Sequence, residues 1–328
     1  MLVGSSDSSQ PPLVESAEER HPPKTYWIIR WLFRAPWWLI IMGLAWIAVI
    51  LAIRSSEEYL NIYSQLQEGV GLTLYLSLTS YVLSLIIGLT VGLIRSYPPT
   101  PPEHNARRGK IFEHFIQMVV YNISTVYVEF MRGIPPLVFL LIAGFVIVPA
   151  FRDWFNTNVL IHFGTELVWR GRDAGTAIAG LSLVYGAFLS EVFRSGIQSI
   201  AKGQMEAAKS LGMSWFQAMR YIVVPQAIRR VLPELGNNFI SMIKDTSLVT
   251  ILGTDEITQI ARKVSGSNFL YRETYAVLSL IYLTMTITGS LFVQWLERTL
   301  KSEVAQSSHP TLWEQLTNWG EKRKRNND

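Results

Sequence analysis

The sequence predicts an all-α integral membrane protein with about six transmembrane helices. Three observations carry that expectation. Of 328 residues, 49% are hydrophobic and only 16% charged, too apolar for an ordinary soluble domain of this length. Six segments approach the roughly 20 apolar residues that a helix needs to cross hydrocarbon with its backbone groups satisfied. Lys and Arg gather on alternate connections between those segments, the pattern that sets orientation in a membrane.

Residues 1–36 are rich in Ser, Glu and Pro and read as a polar, disordered N-terminus. The first span runs from Trp37 to Ile53. It follows basic residues as a signal peptide would, but Arg54-Ser55-Ser56 offers no small-residue cleavage pattern, so a retained anchor is expected. Trp27, Trp31, Trp37 and Trp38 gather where this span enters, as amphipathic rings do at a headgroup boundary. Further spans are expected at Val70–Ile94, Ile134–Phe151, Thr176–Phe193, Ala227–Leu252 and Tyr275–Leu296. The fifth is the weakest, interrupted by Arg229, Arg230, Pro233, Glu234, Lys244 and Asp245. Between the second and third, Ser96 to Lys110 is proline-rich and reads as a stiff, solvated connector. Near the end Leu312, Trp313, Leu316 and Trp319 recur at helical spacing before a KRKR run. They fit either a helix lying on an anionic leaflet or a solvated tail.

With six spans both termini share a side. That side carries Arg95, Arg107, Arg108 and Lys110, then Arg194 to Arg230, then the basic tail, and is therefore expected to be cytoplasmic.

Composition also excludes chemistry. There is no cysteine for disulfides or thiolate-bound metal, and the five histidines show no H-E-x-x-H spacing, so no metal site is expected. No G-x-x-x-x-G-K-[ST] loop occurs, so any ATP is bound by another chain. No catalytic constellation is present, and neither an enzyme nor a nucleic-acid partner is expected.

Polarity that the spans do not explain falls in three places. On the fifth span Glu234, Asn238, Ser241 and Lys244 repeat every three or four residues, which puts polar groups on one helix face. Such groups face a bundle interior or a watery cavity, and Asn238, Ser241 and Lys244 are pathway candidates. Helix-to-helix hydrogen bonding is the competing reading. Thr246 and Ser247 either line the same path or bond back to helix carbonyls. Glu129 with Arg132, and Glu191 with Arg194, sit three residues apart and form either helix-surface ion pairs or gating pairs.

The third place is residues 203–225. Gln204 to Lys209 are mostly helix formers, and Gly212 suits a left-handed helix end. Ser214 followed by Gln217 is a capping box for a second helix through Met219 and Ile222 to Val224, which Pro225 stops or extends into the next. Leu211, Trp215, Phe216, Met219 and Ile222 supply an apolar face, seated on a partner or packed on the ends of the spans.

This segment resembles a known element. Glu206-Ala207-Ala208, three residues, Gly212, nine residues, Ile222, two residues and Pro225 match the EAA motif of the membrane subunits of bacterial ABC importers. Val224 stands where that family usually has Leu. The stretches "GVGLTLYLSLTSYVLSLIIGLTVGLIR", "YVEFMRGIPPLVFL", "YGAFLSEVFRSGIQSIAKGQMEAAKSLG" and "IKDTSLVTILG" are similar to the polar amino acid permeases within that superfamily, with Pro136 a departure.

The resemblance implies a five-helix permease core over residues 69–300. An extra N-terminal helix and periplasmic connector occupy 37–68, and a basic cytoplasmic tail occupies 301–328. It implies that Glu206, Ala207, Ala208, Leu211, Gly212 and Pro225 couple to a cytoplasmic ATPase dimer holding ATP and Mg. It further implies a second permease subunit, identical or homologous, an extracytoplasmic amino acid binding protein, and a location in the bacterial inner membrane among its lipids. A secondary transporter or channel, or a non-transporting receptor subunit, would explain the spans but not the motif.

Overall fold

The computed structural model describes residues 56–102, 108–163, 165–169 and 171–307, together with scattered positions between 37 and 54 that are helical. The chain divides into two units, Met1–Leu51 and Ala52–Asp328, described separately. The N-terminal tryptophans other than Trp37 and the aromatic tail at 312–319 lie outside the described residues.

Among the described residues of the second unit there are only helices. They are α1 (Glu57–Ser96), α2 (Arg108–Gly133), α3 (Pro136–Asn158), α4 (Ala174–Gln198), α5 (Lys202–Ser210), α6 (Trp215–Ala218), α7 (Val224–Asp245), α8 (Ile257–Asn268) and α9 (Tyr271–Ser307). Four are long and apolar enough to cross a membrane: α1, α3, α4 and α9 over Tyr271–Thr299. Helix α7 has 22 residues and the length to span, but keeps the charges that made it the weakest span in the sequence.

Helix α1 explains itself at both ends. Glu57 and Glu58 sit in its first turn and Arg95 in its last, each complementing the local end of the helix dipole. Along its buried face Gly69, Thr73, Ser77, Ser84, Gly88, Gly92 and Ser96 recur at close to four-residue spacing. Small side chains let backbones approach in an apolar medium. A Cβ at Gly88 would lie 2.7 Å from the Leu189 Cβ on α4, closer than packing allows. Most of the hydroxyls find partners, the buried Ser80 Oγ excepted. Ser77 donates to Thr73 O at 2.7 Å, while Ser84 and Ser182 reach across to each other's helix at 3.3 Å.

Helix α4 starts on Asp173, whose carboxylate accepts the Thr176 N–H at 2.8 Å. It is the axis of the fold. Val184, Tyr185, Ala187, Leu189 and Phe193 pack on Tyr81 of α1, Val128 and Met131 of α2, Phe139 of α3 and Leu235 of α7. A second apolar cluster, Leu76, Leu140, Ala177, Leu181, Val249 and Leu252, closes the end remote from residues 203–225.

The structure departs from the sequence reading in three places. Arg108–Gly133 is a 26-residue helix where a connector and the approach to a span were expected. Its charges hid it from a hydropathy reading, but Tyr127 reaches α4 and donates to Leu183 O at 2.6 Å. Pro135 and Pro136 then break the path before α3. The fifth expected span ends early, because after Asp245 the chain tightens into a 3-10 turn over Thr246–Leu252 that Gly253 closes at φ 74°. Helix α8 was not foreseen; buried Glu256 caps it, accepting from Gln259 N at 2.8 Å, Thr250 at 2.6 Å and Tyr282 at 3.1 Å.

Helices α3 and α7 share a device. Each is preceded or interrupted by a widened turn, over Ala143–Ile147 and over Met219–Val223, in which Val148 and Val224 donate five residues back. In each case proline follows at once, Pro149 and Pro225. A proline ring collides with the carbonyl four residues back and offers it no N–H, and a wide turn relieves both.

Candidate functional site

The hairpin forms as its local chemistry dictates. Helix α5 ends on Gly212 at φ 78°, a conformation costly for any residue with a Cβ. Gly212 N donates to Lys209 O at 2.9 Å, and Met213 N to Ala208 O at 3.1 Å. Both halves of the capping box are made: Gln217 N to the Ser214 hydroxyl at 3.2 Å, and Ser214 N to the Gln217 side-chain oxygen at 2.8 Å. Pro225 does not stop the second helix. It sits in the first turn of α7, so hairpin and span are one continuous rod joined by the widened turn.

Two faces result. Ala208 is 1% exposed, and Met219, Val223 and Ala227 are buried with Ile197 and Ile200 in a cluster that fixes the hairpin to the ends of α4 and α7. Ala208 and Met219 therefore face inward, toward the packing on the span ends that the sequence left open beside a partner-facing role. A methyl at 208 is wanted because it lets α5 lie flush on what is beneath. Glu206, Ala207, Gly212 and Pro225 are exposed, as are Leu211 at 81% and Phe216 at 64%. The hairpin thus both packs on its own bundle and presents an apolar surface beyond it, with Glu206 among exposed Lys202, Lys209 and Arg220.

Beside it lies a charge network. The Arg95 guanidinium contacts the Glu191 carboxylate and reaches Glu129 at 3.4 Å. Arg194 holds the other Glu191 oxygen at 2.6 Å and passes on to Gln198 at 2.9 Å. Glu191 with Arg194 is thus a pair one turn apart, whereas Glu129 turns away from Arg132 toward Arg95. Arg132 is exposed and outside the network. The Arg95 side chain is 10% exposed, so its pairs are shielded more than a surface pair would be, and they bind α1, α2 and α4 together. Sequence reading had counted Arg95 only toward orientation. The available signal was its place, an arginine ending an apolar run.

On α7 the polar stripe faces away from the chain's own core. Val231, Leu235, Met242 and Ile243 are buried, while Glu234 and Lys244 are exposed and Asn238 and Ser241 half-buried. Asn238 donates to Glu234 O at 2.8 Å within its own helix, so no cross-helix bond explains it. Thr246 is buried and donates back to Ile243 O at 2.7 Å, and Ser247 is half-buried. Asp245 accepts from Tyr185 at 2.7 Å.

Helices, hairpin and stripe together define a membrane transport subunit. A family model described as binding-protein-dependent transport system inner membrane component matches residues 115–302. The probable amino-acid permease protein YxeN of Bacillus subtilis is 31% identical over 244 residues, which are 74% of this chain and 95% of that protein. The glutamine transport system permease protein GlnP of Escherichia coli K12 is 30% identical over 234 residues, 71% and 92% of the two chains. A solved amino acid ABC transporter with histidines is 28% identical with a TM-score of 0.54, covering 75% of this chain and 98% of that one. The chain belongs to the family of inner membrane components of binding-protein-dependent transport systems. It is a multi-pass inner-membrane permease of an ABC importer and not an enzyme.

Proposed function

We propose that this chain is the permease subunit of an ATP-driven importer for polar or charged amino acids, and that residues 203–225 couple it to a cytoplasmic ATPase dimer. The observation that carries the reading is the two-faced hairpin. One face is locked to α4 and α7 through Ala208, Met219 and Val223, and the other holds Glu206, Ala207, Leu211 and Phe216 out to solvent. An element fixed to two spans and continuous with one of them passes a push on its outer face directly to those spans.

In this reading ATP and Mg reside on the ATPase subunits, whose closure displaces the hairpin and exchanges inward-open for outward-open states. Both termini and the hairpin are cytoplasmic. A second permease, identical or homologous, faces the α7 stripe of Glu234, Asn238, Ser241 and Lys244. Lys244 supplies a cation for a substrate carboxylate and Glu234 an acceptor for its ammonium. An extracytoplasmic binding protein delivers the substrate, and it drives the cycle only through unequal affinity for the two states. The amino acid class rests on the relatives named above.

Reconstitution with ATPase subunits and binding protein tests this. ATP-dependent uptake from a mixed amino acid pool is expected, lost in Glu206→Lys together with ATPase co-purification, while membrane insertion persists. Full-speed uptake without any ATPase would overturn it.

A further inference from the structure

Hairpin motion has a covalent route into α4 and α7, but none into α1. The contact that bridges this gap is made by Tyr97, the first residue after α1, in a stretch that the sequence presented as a solvated connector. Its ring meets that of Trp215 edge to face, with centroids 5.6 Å apart and planes at 85°. Its hydroxyl donates to the Met219 sulfur at 3.6 Å. Trp215 opens α6 and Met219 opens the widened turn, so both partners sit on the hairpin's second arm. One turn earlier on α1, Leu93 packs into the same apolar cluster as Met219 and Val223. Two residues earlier, Arg95 holds Glu191 and Glu129.

The surroundings are open. A cavity of about 590 Å³ lies on one side of Tyr97, between Pro98 to Thr100, α2 at Ile116 to Tyr121, and Trp215. Another of about 640 Å³ lies on the other, against Ile197, Met205, Glu206 and Lys209. Between two cavities, the directional contact from this part of α1 to the second arm is the Tyr97 side chain.

We propose that Tyr97 is a positioning residue that carries hairpin displacement to α1 and, through Arg95, to the charge network joining α1, α2 and α4. This rests on the coupling role proposed for the hairpin. An edge-to-face ring pair resists shear in a way that a lone methyl contact does not, because its attraction depends on relative orientation. Movement of Trp215 therefore moves Tyr97, and with it the last turn of α1.

The test uses the complete importer in vesicles, measuring labelled amino acid taken up per ATP hydrolysed. Tyr97→Ala is expected to keep ATPase co-purification and to lower that ratio roughly fivefold, the size of an aromatic pair lost. Tyr97→Phe keeps the rings and is expected to stay within about twofold of wild type. Trp215→Ala should reproduce the loss, and the double variant should add nothing to it, since both remove one contact. A wild-type ratio in Tyr97→Ala overturns the proposal, as does additive loss in the double variant. So does loss of co-purification in Tyr97→Ala, which would mark a merely structural role. Were the wild-type chain to bind no ATPase, the coupling role would fall and this inference with it; a coupled wild type with an indifferent Tyr97→Ala sinks this inference alone.

Discussion

The hairpin and the α7 stripe are both polar interruptions in an apolar chain, yet their side chains are treated in opposite ways. In the hairpin and the network beside it the caps and the central carboxylate are answered from within, although the buried Arg95 Nε has no partner. Ser214 and Gln217 cap each other, Gly212 closes α5, and Arg95, Glu191 and Arg194 pair. On α7 the Asn238 amide bonds only to its own helix, and among the described residues Lys244 forms no ion pair. A self-satisfied element is a mechanical part that has to hold its shape. A polar stripe on a helix long enough to span, bonded only within its own helix, is the kind that faces a watery cavity or another subunit.

The sharpest way to break that contrast is Gly212→Pro. Proline cannot adopt φ 78°, so α5 loses its stop, at a cost of about 3 kcal/mol or more. Uptake and ATPase co-purification are expected to vanish while the protein still reaches the membrane, as read by fractionation. Next comes Glu191→Gln, which keeps shape but removes the charge shared by Arg95 and Arg194. A loss on the order of 2 kcal/mol in detergent thermal unfolding is expected. That is below the ~3–5 kcal/mol of a fully buried pair because Glu129 still faces Arg95. Ser214→Ala should cost about 1 kcal/mol, one cap's worth, and lower the unfolding temperature slightly without changing the substrate profile. Lys244→Ala should leave unfolding within about 0.5 kcal/mol and still alter substrate-stimulated ATP hydrolysis. Unchanged kinetics there would make Lys244 a passive surface residue, whereas a large stability loss would place it among the self-satisfied parts.

What the sequence disclosed follows the same division. Hairpin geometry was legible because it is local: a helix-forming run, a glycine and a Ser-x-x-Gln spacing determine φ, caps and length over two dozen residues. Four of the expected spans, the second, third, fourth and sixth, were legible from hydropathy apart from their ends, and α2 escaped because its basic start and the Glu129 to Arg132 stretch dilute the apolar signal. Pairings between distant segments were not legible. Arg95 to Glu191 spans 96 residues and Tyr97 to Met219 spans 122, and neither leaves a mark in spacing. The four-residue recurrence of small residues on α1 was present in the letters throughout. It becomes meaningful once α4 is known to lie against it at Gly88 and Ser84.

The two widened turns have a consequence for how this bundle bends. A helix is stiff because every rung ties to the one four places back, and at Ala143–Ile147 and Met219–Val223 one bond runs five places back beside a proline that has no N–H to donate. These are the two places in α3 and at the root of α7 where the regular ladder is interrupted. The second lies where the hairpin's second arm becomes α7, so in the coupling proposed above a push on the hairpin is delivered at a point where α7 can turn about its base.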